Sequence, residues 1–291
     1  MRRLAVALTI AGSLALASCG GSDSSSDTTA PADTVADQTA AECAAGKTIT
    51  DGTLTIATGE PAYEPWVVGD APETKEGFEA AVAYAVAGEL GFEDANIKWV
   101  RTTFDAAIQP GAKDFDFNLQ QFTITEERKQ AVTFSDAYYT TNQAIVGLKD
   151  SAAAGATSIA DLKDVKFGAQ AATTSLDFIT NVIQPTNEPF AYDDNAGAKA
   201  ALEAGQIDAI VVDLPTAFYI AAVEIEGASV IGQFPAALAT QADEFGLVFD
   251  LDNPLAECAN IALATLKDNG TLAQIETEWL SDKTSAPVIA G

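Results

Sequence analysis

The chain has 291 residues, 48% of them hydrophobic and 20% charged, which is enough to bury one large core or two smaller ones. Its 42 acidic and 15 basic residues give a formal net charge of −27, which argues against nucleic-acid binding and against a polybasic hold on anionic lipid, since both need clustered lysine and arginine. It contains no histidine, so the usual zinc sites and the Ser-His-Asp and Cys-His centres are not available, and we predict no metal, cofactor or catalytic residue.

Residues 1–18 are predicted to be an export signal. They begin with Met-Arg-Arg and continue into the apolar stretch Leu4–Leu16, which is shorter than the ~20 residues that a membrane-spanning helix needs. The letters LASC that end at Cys19 resemble a bacterial lipobox, which implies cleavage before Cys19 and attachment of lipid to its thiol. The alternative is an ordinary cleavage site with a cysteine beside it by chance.

Residues 19–46 are predicted to be a flexible tether, because they are small, polar and mildly acidic and have almost nothing to bury. Cys43 lies near the end of the tether and Cys258 near the end of the chain. An exported protein with two cysteines besides a lipidated one most simply forms one disulfide, although two free thiols remain the alternative.

Strand and helix patterns then alternate along the chain, which predicts an α/β protein with mainly parallel sheets. The first series has strands at 54–57, 97–100 and 115–119 and helices at 78–90, 104–108 and 125–132. The second series has strands at 143–148, 165–170, 207–212 and 245–250 and helices at 158–163, 173–183, 196–205, 213–222, 254–270 and 271–280.

The predicted disulfide divides these elements between two lobes, because it returns the last helices to the start of the folded part. Lobe 1 would comprise residues 47–142 and 239–291, and lobe 2 residues 143–238. The chain would cross between them near residues 140–145 and 236–242. A ligand cleft between the lobes would face the carboxyl ends of the strands.

Arg128 is the basic residue that stands out. If 125–132 is a helix, Lys129 pairs with Glu126 in the ordinary way, whereas the neighbours on the face of Arg128 are Ile124, Thr125, Ala131 and Val132. A guanidinium without a local acid is suited to hold a carboxylate of a ligand by two hydrogen bonds, and a carboxylate elsewhere in the fold is the alternative.

Three polar positions lie where strands are followed by helices. Asp213 ends an apolar strand and could either cap the next helix or hold a cation in a cleft. Thr123 precedes the predicted helix with Arg128, and Thr174 begins another helix, whose free N–H groups suit an anion. Either threonine could equally be only a helix cap.

Residues 52 to about 281 resemble the amino-acid-binding solute receptors of ABC importers, family 3, which have the type II periplasmic-binding-protein fold. The stretches that carry the resemblance follow the family order: ATGEPAYEPW, EGFEAAVAYAVAGELGF, FTITEERKQAVTFSDAYY, GAQAATTSLDFI, GQIDAIVVDLP and LKDNGTLAQIETEW. The resemblance implies an α/β protein with two lobes joined by two hinge crossings.

The resemblance also implies a role for each matched residue. Arg128 would clamp the α-carboxylate of the ligand with the help of Thr123 and Thr174, and Asp213 would accept from its α-ammonium. Tyr63 and Phe104 would form the walls of the pocket beside the ligand side chain, and Trp66 would line the mouth of the same pocket. Glu79 would contact a cationic side chain of the ligand or would merely be an acid at a helix start. Gln121 stands where the family commonly has glycine or serine as a ligand contact. Ala172 replaces a glycine of the family's turn.

The function implied is capture without chemistry. A monomeric lipoprotein on the outer face of the cytoplasmic membrane would bind a free amino acid, close, and present it to the permease of an ABC importer. The sequence favours a neutral polar amino acid, since no basic residue points to an acidic side chain and Glu79 alone hints at a basic one. The alternatives are a secreted dehydratase-like enzyme on the same fold and a sensory lipoprotein.

Overall fold

The computed structural model describes residues 38–239, 242–280 and 286–291, so the predicted signal, Cys19 and most of the predicted tether lie outside the described residues. The strands are β1 Leu54–Gly59, β2 Ile97–Thr102, β3 Phe117–Asn118, β4 Thr133–Thr141, β5 Gln143–Leu148, β6 Phe167–Gln170, β7 Phe190–Tyr192, β8 Ala209–Asp213, β9 Ala228–Gln233 and β10 Asp243–Phe249.

The helices alternate with these strands. They are α1 Ala40–Ala44, α2 Phe78–Glu89, α3 Phe104–Ile108, α4 Thr174–Phe178, α5 Asn195–Glu203, α6 Leu214–Tyr219, α7 Leu255–Asp268 and α8 Thr271–Trp279. π-Helical turns at Ile179–Ile183 and Ile220–Glu224 continue α4 and α6. Short 3-10 helices lie at Val68–Asp70, Pro72–Thr74, Asp94–Asn96, Arg128–Gln130, Ile159–Leu162 and Ala236–Leu238.

Two five-stranded sheets organise the described residues. The first has the order β2-β1-β3-β10-β4 and the second the order β7-β6-β8-β5-β9. In both sheets three parallel strands are followed by an antiparallel strand, β10 or β5, that pairs with an edge strand. The two α/β lobes are therefore built on one plan, which confirms the predicted fold class.

The chain passes between the sheets at two places. It leaves the first sheet at the end of β4 and enters the second with β5, one residue later, and it returns between β9 and β10. Both crossings lie near the predicted positions.

The core of lobe 1 is formed by α2, α7 and α8 against the first sheet. The helix α2 is apolar on most of its surface because it is enclosed, and it begins at Gly77, whose φ of +106° and close approach to the Trp66 backbone leave no room for a side chain. Cys43 of α1 and Cys258 of α7 form a disulfide in this core, which confirms the predicted pairing.

Lobe 2 has a core on each face of its sheet. Along β5, Ile145 packs with Phe167 and the helix α4 on one face, whereas Ala144 and Val146 pack with the α5 and α6 side on the other. The alternation follows from the two-residue period of a strand and explains why β5 is apolar after Gln143.

Three features differ from the predicted elements. The segment 125–132 is not a helix but a turn followed by one 3-10 turn, because the long strand β4 already begins at Thr133. The edge strands β7 and β9 and the strand β4 were not predicted, since their alternation is weak or mixed with helix-forming residues.

The C-terminal residues 286–291 lie against the second sheet. The Gln233 N–H donates to Pro287 O at 2.7 Å, and the buried Ile289 fills the space beside Gly232. These contacts give hydrogen-bond partners to the backbone N–H and C=O of Gln233 at the open edge of β9. They differ from the predicted division, in which all of 239–291 belongs to lobe 1.

Candidate functional site

Arg128 lies where the two lobes meet. Its Nη1 donates to the carbonyl oxygen of Thr123 at 2.7 Å within lobe 1, and its Nη2 donates to that of Ala172 at 2.9 Å in lobe 2. Its guanidinium carbon is 5.4 Å from the ring centre of Phe104. Burial lowers the pKa of the guanidinium to about 10, so it remains a cation at neutral pH.

The predicted contrast between Arg128 and Lys129 is confirmed. Lys129 pairs with Glu126 at 2.8 Å on the surface, whereas Arg128 takes part in no ion pair within the described part of the chain. A guanidinium has five N–H donors, and two of them are occupied by backbone carbonyls. The remaining donors can take a carboxylate that arrives with a ligand.

Thr123 and Thr174 face each other across the lobes, with their hydroxyl oxygens 3.2 Å apart. Both hydroxyls lie 3.1 Å from Oδ1 of Asp243, whose Oδ2 accepts from Gln143 Nε2 at 2.9 Å. A carboxylate oxygen accepts hydrogen bonds, so each hydroxyl can donate to Asp243 Oδ1 and keep lone pairs for a ligand. Sequence reasoning missed Asp243; its one signal was an acid at the start of the strand that follows the second crossing.

The turn before Thr174 explains the carbonyl that reaches Arg128. Ala172 has a φ of +60°, the left-handed region in which glycine is favoured. This conformation turns its carbonyl toward Arg128. The alanine found in place of the family's glycine therefore keeps the turn, with backbone strain.

Asp213 caps α6 at the end of β8. Its Oδ1 accepts from the Thr216 N–H at 2.9 Å and its Oδ2 from the Thr216 hydroxyl at 2.8 Å. Burial raises the pKa of the Asp213 carboxyl to about 6, against the effect of these two hydrogen bonds, which lower it. Each carboxylate oxygen retains a lone pair, so the capping role and a role in ligand binding are compatible.

One cavity brings most of the predicted residues together. Those lining it are Phe104, Gln121, Thr123, Arg128, Thr174 and Asp213, with the unpredicted Gln120, Gln143, Gln170, Thr173, Ser175, Asn195, Val211, Val212 and Phe245. An adjoining cavity of about 130 Å³ shares Phe104 and Gln121 and adds Tyr63. The two cavities adjoin and are together called the cleft: Arg128 and Asp213 line the first cavity, and Tyr63 lines the second, which is called the Tyr63 end.

Glu79 lies behind this cleft and not in it. It is 1% exposed and accepts hydrogen bonds from the Gln121 backbone N–H at 2.8 Å, from Gln121 Nε2 at 2.5 Å and from the Tyr138 hydroxyl. Burial raises the pKa of the Glu79 carboxyl to about 7. Gln121 has a φ of +52°, so Glu79 fixes a left-handed backbone position at the wall of the cleft.

Trp66 does not line the cleft either. It is 0% exposed and packs at ring-centre distances of 5.7 Å from both Phe78 and Phe245. Tyr63 and Phe104 are half-buried and do line the cleft. Phe104 stacks on Phe122 at 4.5 Å, and the Tyr63 hydroxyl accepts from the Ala196 N–H of lobe 2 at 3.4 Å.

The Tyr63 end of the cleft is acidic. Glu60, Asp193 and Asp194 line it; the nearby cations are Lys199, whose Nζ is 5.1 Å from the Tyr63 ring centre, and Arg101, and they are paired with Glu224 and Asp70. Gln120 donates its Nε2 to Asn118 Oδ1 at 3.0 Å, which leaves its Oε1, beside Gly59, as a further acceptor. This end is suited to a group that donates hydrogen bonds or carries positive charge.

Within the described parts of the chain, no cluster of acidic or cysteine side chains could hold a metal ion, and no helix is long and apolar enough to cross a membrane.

Comparisons with known proteins agree with this fold. Residues 54–282 match the family model of the bacterial extracellular solute-binding proteins, family 3. The arginine-binding periplasmic protein of Mannheimia haemolytica is 29% identical over 240 residues, which cover 82% of this chain and 96% of that protein.

Solved structures of amino-acid-binding proteins are also similar to this chain. An ancestral arginine-binding protein bound to glutamine has 30% sequence identity and a TM-score of 0.65, and the match covers 79% of this chain and 99% of that one. An ancestral amino-acid-binding protein described as a precursor of cyclohexadienyl dehydratase has 31% identity and a TM-score of 0.63, covering 78% and 95%. The chain belongs to the family 3 bacterial extracellular solute-binding proteins.

Proposed function

We propose that this protein captures a free amino acid between its two lobes and delivers it to an ABC importer. The observation that carries the proposal is Arg128, a cation between the lobes with unoccupied donors and no ion-pair partner among the described residues. In the same cavity Asp213 offers a carboxylate. A cation and an anion in one cleft suit the two charges that every free amino acid carries.

The roles of the polar residues follow from their hydrogen bonds. Arg128 holds the α-carboxylate together with the N–H groups of Thr174 and Ser175 at the start of α4, whereas the Leu176 N–H is already taken by the Thr173 hydroxyl. Asp213 holds the α-ammonium. Thr123 and Thr174 donate to Asp243 and so offer lone pairs to the ligand, which suits an ammonium better than the carboxylate contact expected from the sequence.

The acidic Tyr63 end selects the side chain. Glu60, Asp193 and Asp194 oppose a ligand with a negative side chain and favour a cationic one. We therefore extend the expected neutral polar ligand to amino acids with a cationic side chain, and among the neutral ones we favour those with an amide. The arginine named for one relative, and the glutamine bound by another, support this choice.

Arg128→Ala tests the proposal directly. Loss of two charge-assisted hydrogen bonds, each worth roughly 1.5–3 kcal/mol, should weaken amino-acid binding by at least about 100-fold in isothermal titration calorimetry. Lys129→Ala removes the neighbouring surface charge and should bind as wild type does. An Arg128→Ala protein that melts normally and binds with wild-type affinity contradicts the proposal.

A thermal-shift screen identifies the ligand. Each of the twenty amino acids, cystine and ornithine is added to the purified protein, and a ligand that binds only the folded state raises the melting temperature. We expect arginine, ornithine, lysine or glutamine to raise it, and aspartate and glutamate to leave it unchanged. A shift with glutamate alone contradicts the assignment of the acidic end.

We further propose that Cys19 carries lipid and holds the protein at the outer face of the membrane. The LASC motif that ends at Cys19 supports this, and the net charge of −27 leaves no polybasic alternative for attachment. Cys19→Ala should move the protein from the membrane fraction to the soluble exported fraction. An unchanged membrane fraction would contradict lipidation at this residue.

A catalytic role has less support. An acid/base pair facing the cleft would be needed, and Glu79 and Asp213 are the two cleft-region carboxyls whose pKa burial raises most clearly. Glu79, however, is enclosed behind Gln121 and Tyr138. Recovery of the ligand unchanged after prolonged incubation is the result that binding predicts.

A further inference from the structure

A buried hydrogen bond joins the two lobes behind the residues that line the ligand cleft. Trp66 Nε1 donates to the Thr216 hydroxyl at 2.7 Å. Trp66 belongs to the segment between β1 and α2 in lobe 1, and Thr216 to the first turn of α6 in lobe 2. Their exposed fractions are 0% and 4%, so the bond lies out of reach of water while the lobes are together.

Trp66 is held rigidly on its own side. Its ring meets those of Phe78, Tyr139 and Phe245 edge to face, at ring-centre distances of 5.7, 5.9 and 5.7 Å. Such packing fixes the direction of the indole N–H relative to lobe 1. A movement of lobe 2 that carries α6 away from lobe 1 therefore breaks the bond.

The direction of the protons links this bond to Asp213. An indole nitrogen can only donate, so the Thr216 oxygen accepts from Trp66, and its single proton is free to donate elsewhere. It donates to Asp213 Oδ2 at 2.8 Å, while the Thr216 N–H donates to Oδ1 at 2.9 Å. The chain from Trp66 through Thr216 thus holds both oxygens of the Asp213 carboxylate.

We propose that Trp66 and Thr216 form an interlobe clasp that stabilises the closed protein and orients Asp213 toward the ligand ammonium. The inference rests on the proposed function for the role of Asp213. The clasp residues are positioning residues, since Trp66 and Thr216 do not line the cavity that contains Arg128 and Asp213. Because every ligand needs the same closed protein and the same Asp213, loss of the clasp lowers the affinity for every ligand by one common factor.

The test compares Trp66→Phe, Thr216→Val and the double variant with wild type. Phenylalanine keeps a ring and removes the N–H, and valine keeps the shape of threonine and removes the hydroxyl. Trp99→Phe is the matched control, because its indole N–H donates to Tyr84 OH at 3.3 Å within lobe 1. Affinities for L-arginine and L-glutamine are measured by calorimetry, together with the melting temperature without ligand.

We expect Trp66→Phe to weaken both ligands about fivefold, as the loss of one buried hydrogen bond does, and the double variant to be no worse than Thr216→Val. Trp99→Phe should bind as wild type does. Unchanged affinity, a loss that differs between the two ligands, or additive losses would overturn the clasp. The clasp would also be overturned if the variants lost affinity only in proportion to a lower melting temperature of the ligand-free protein.

A second measurement does not need a ligand to bind. In the Trp99→Phe/Trp279→Phe protein, Trp66 is the sole remaining tryptophan of the chain's three. Adding Thr216→Val should raise acrylamide quenching of its fluorescence, because the indole is released from its buried partner. If wild type binds neither amino acid, the proposed function fails and this comparison alone decides the clasp: increased quenching supports it, and unchanged quenching overturns it.

Discussion

In the proposed site, Asp213 combines its role as a helix cap with that of partner to the ligand ammonium, and its protonation should then control ligand binding. As a helix cap it accepts two hydrogen bonds from Thr216, yet burial still raises its pKa to about 6. A ligand ammonium beside it would favour the ionised form. The same burial that makes the carboxylate a strong partner for an ammonium therefore makes it sensitive to mild acid.

Binding should weaken as the pH falls from 7 to 5. The carboxyl must lose its proton to accept the ammonium, so with a pKa of about 6 the apparent dissociation constant should rise about tenfold by pH 5. Asp213→Asn keeps a good helix cap and should bind weakly with little pH dependence. Calorimetry at pH 5, 6 and 7 checks both, and an equally steep pH dependence in Asp213→Asn would assign the effect to another group such as Glu79.

Sequence reasoning was most successful where a residue is defined by its immediate neighbours. The ordinary pairing of Lys129 with Glu126, and the absence of a local acid for Arg128, were predicted from spacing alone. Asp243 was missed, because its partners Thr123 and Thr174 are distant in sequence and meet only in the folded protein. Buried networks of this kind leave no periodic pattern to read.

At the level of elements, the loop that leads into α4 carries a measurable strain. Ala172 is exposed and adopts a left-handed conformation that costs a residue with a Cβ roughly 1–2 kcal/mol. Ala172→Gly relieves this strain, although it makes the unfolded chain more flexible.

Ala172→Gly should therefore raise the free energy of unfolding by up to about 1 kcal/mol. Ala171→Gly is the matched control, since Ala171 is also exposed but has no positive φ, and this substitution should lower the stability. Urea denaturation monitored by circular dichroism measures both. Destabilisation by both glycines to the same extent would contradict the strain at Ala172.

The helices that sequence reasoning predicted best are those with long apolar faces, such as α2, α7 and α8. The predicted α-helix at 125–132 is wrong because both flanks of the segment are tied to β10: Thr123 bridges Phe245 and β4 begins at Thr133, so TEERKQAV remains a short connection despite its good helix formers. The edge strands β7 and β9 depend on neighbours in the sheet, which a single sequence does not display.

On the scale of the whole molecule, the dominant property is charge. A net charge of −27 surrounds the cleft with a negative potential, which attracts a cationic ligand at a distance and acts little on a zwitterion without net charge. The two-lobe arrangement was predictable because one disulfide and two crossings constrain it, whereas the position of residues 286–291 on lobe 2 was not, since only the open edge of β9 recruits them.

Raising the salt concentration from about 10 to about 200 mM should slow the association of L-arginine at least about twofold and leave that of L-glutamine nearly unchanged. Stopped-flow tryptophan fluorescence measures both rates on the same protein. Equal salt dependence for the two ligands would show that the charge of the molecule does not steer its ligand.

The disulfide between Cys43 and Cys258 also determines how the folded part bears a mechanical load. A pull on the N-terminal side of α1 is transferred by this bond into α7, in the centre of the lobe 1 core, and does not reach β1 along the backbone first. The load path therefore ends in lobe 1 before either crossing. Lobe 2 lies outside this path, so a pull on the N-terminal side of α1 is borne within lobe 1 and does not load the two crossings.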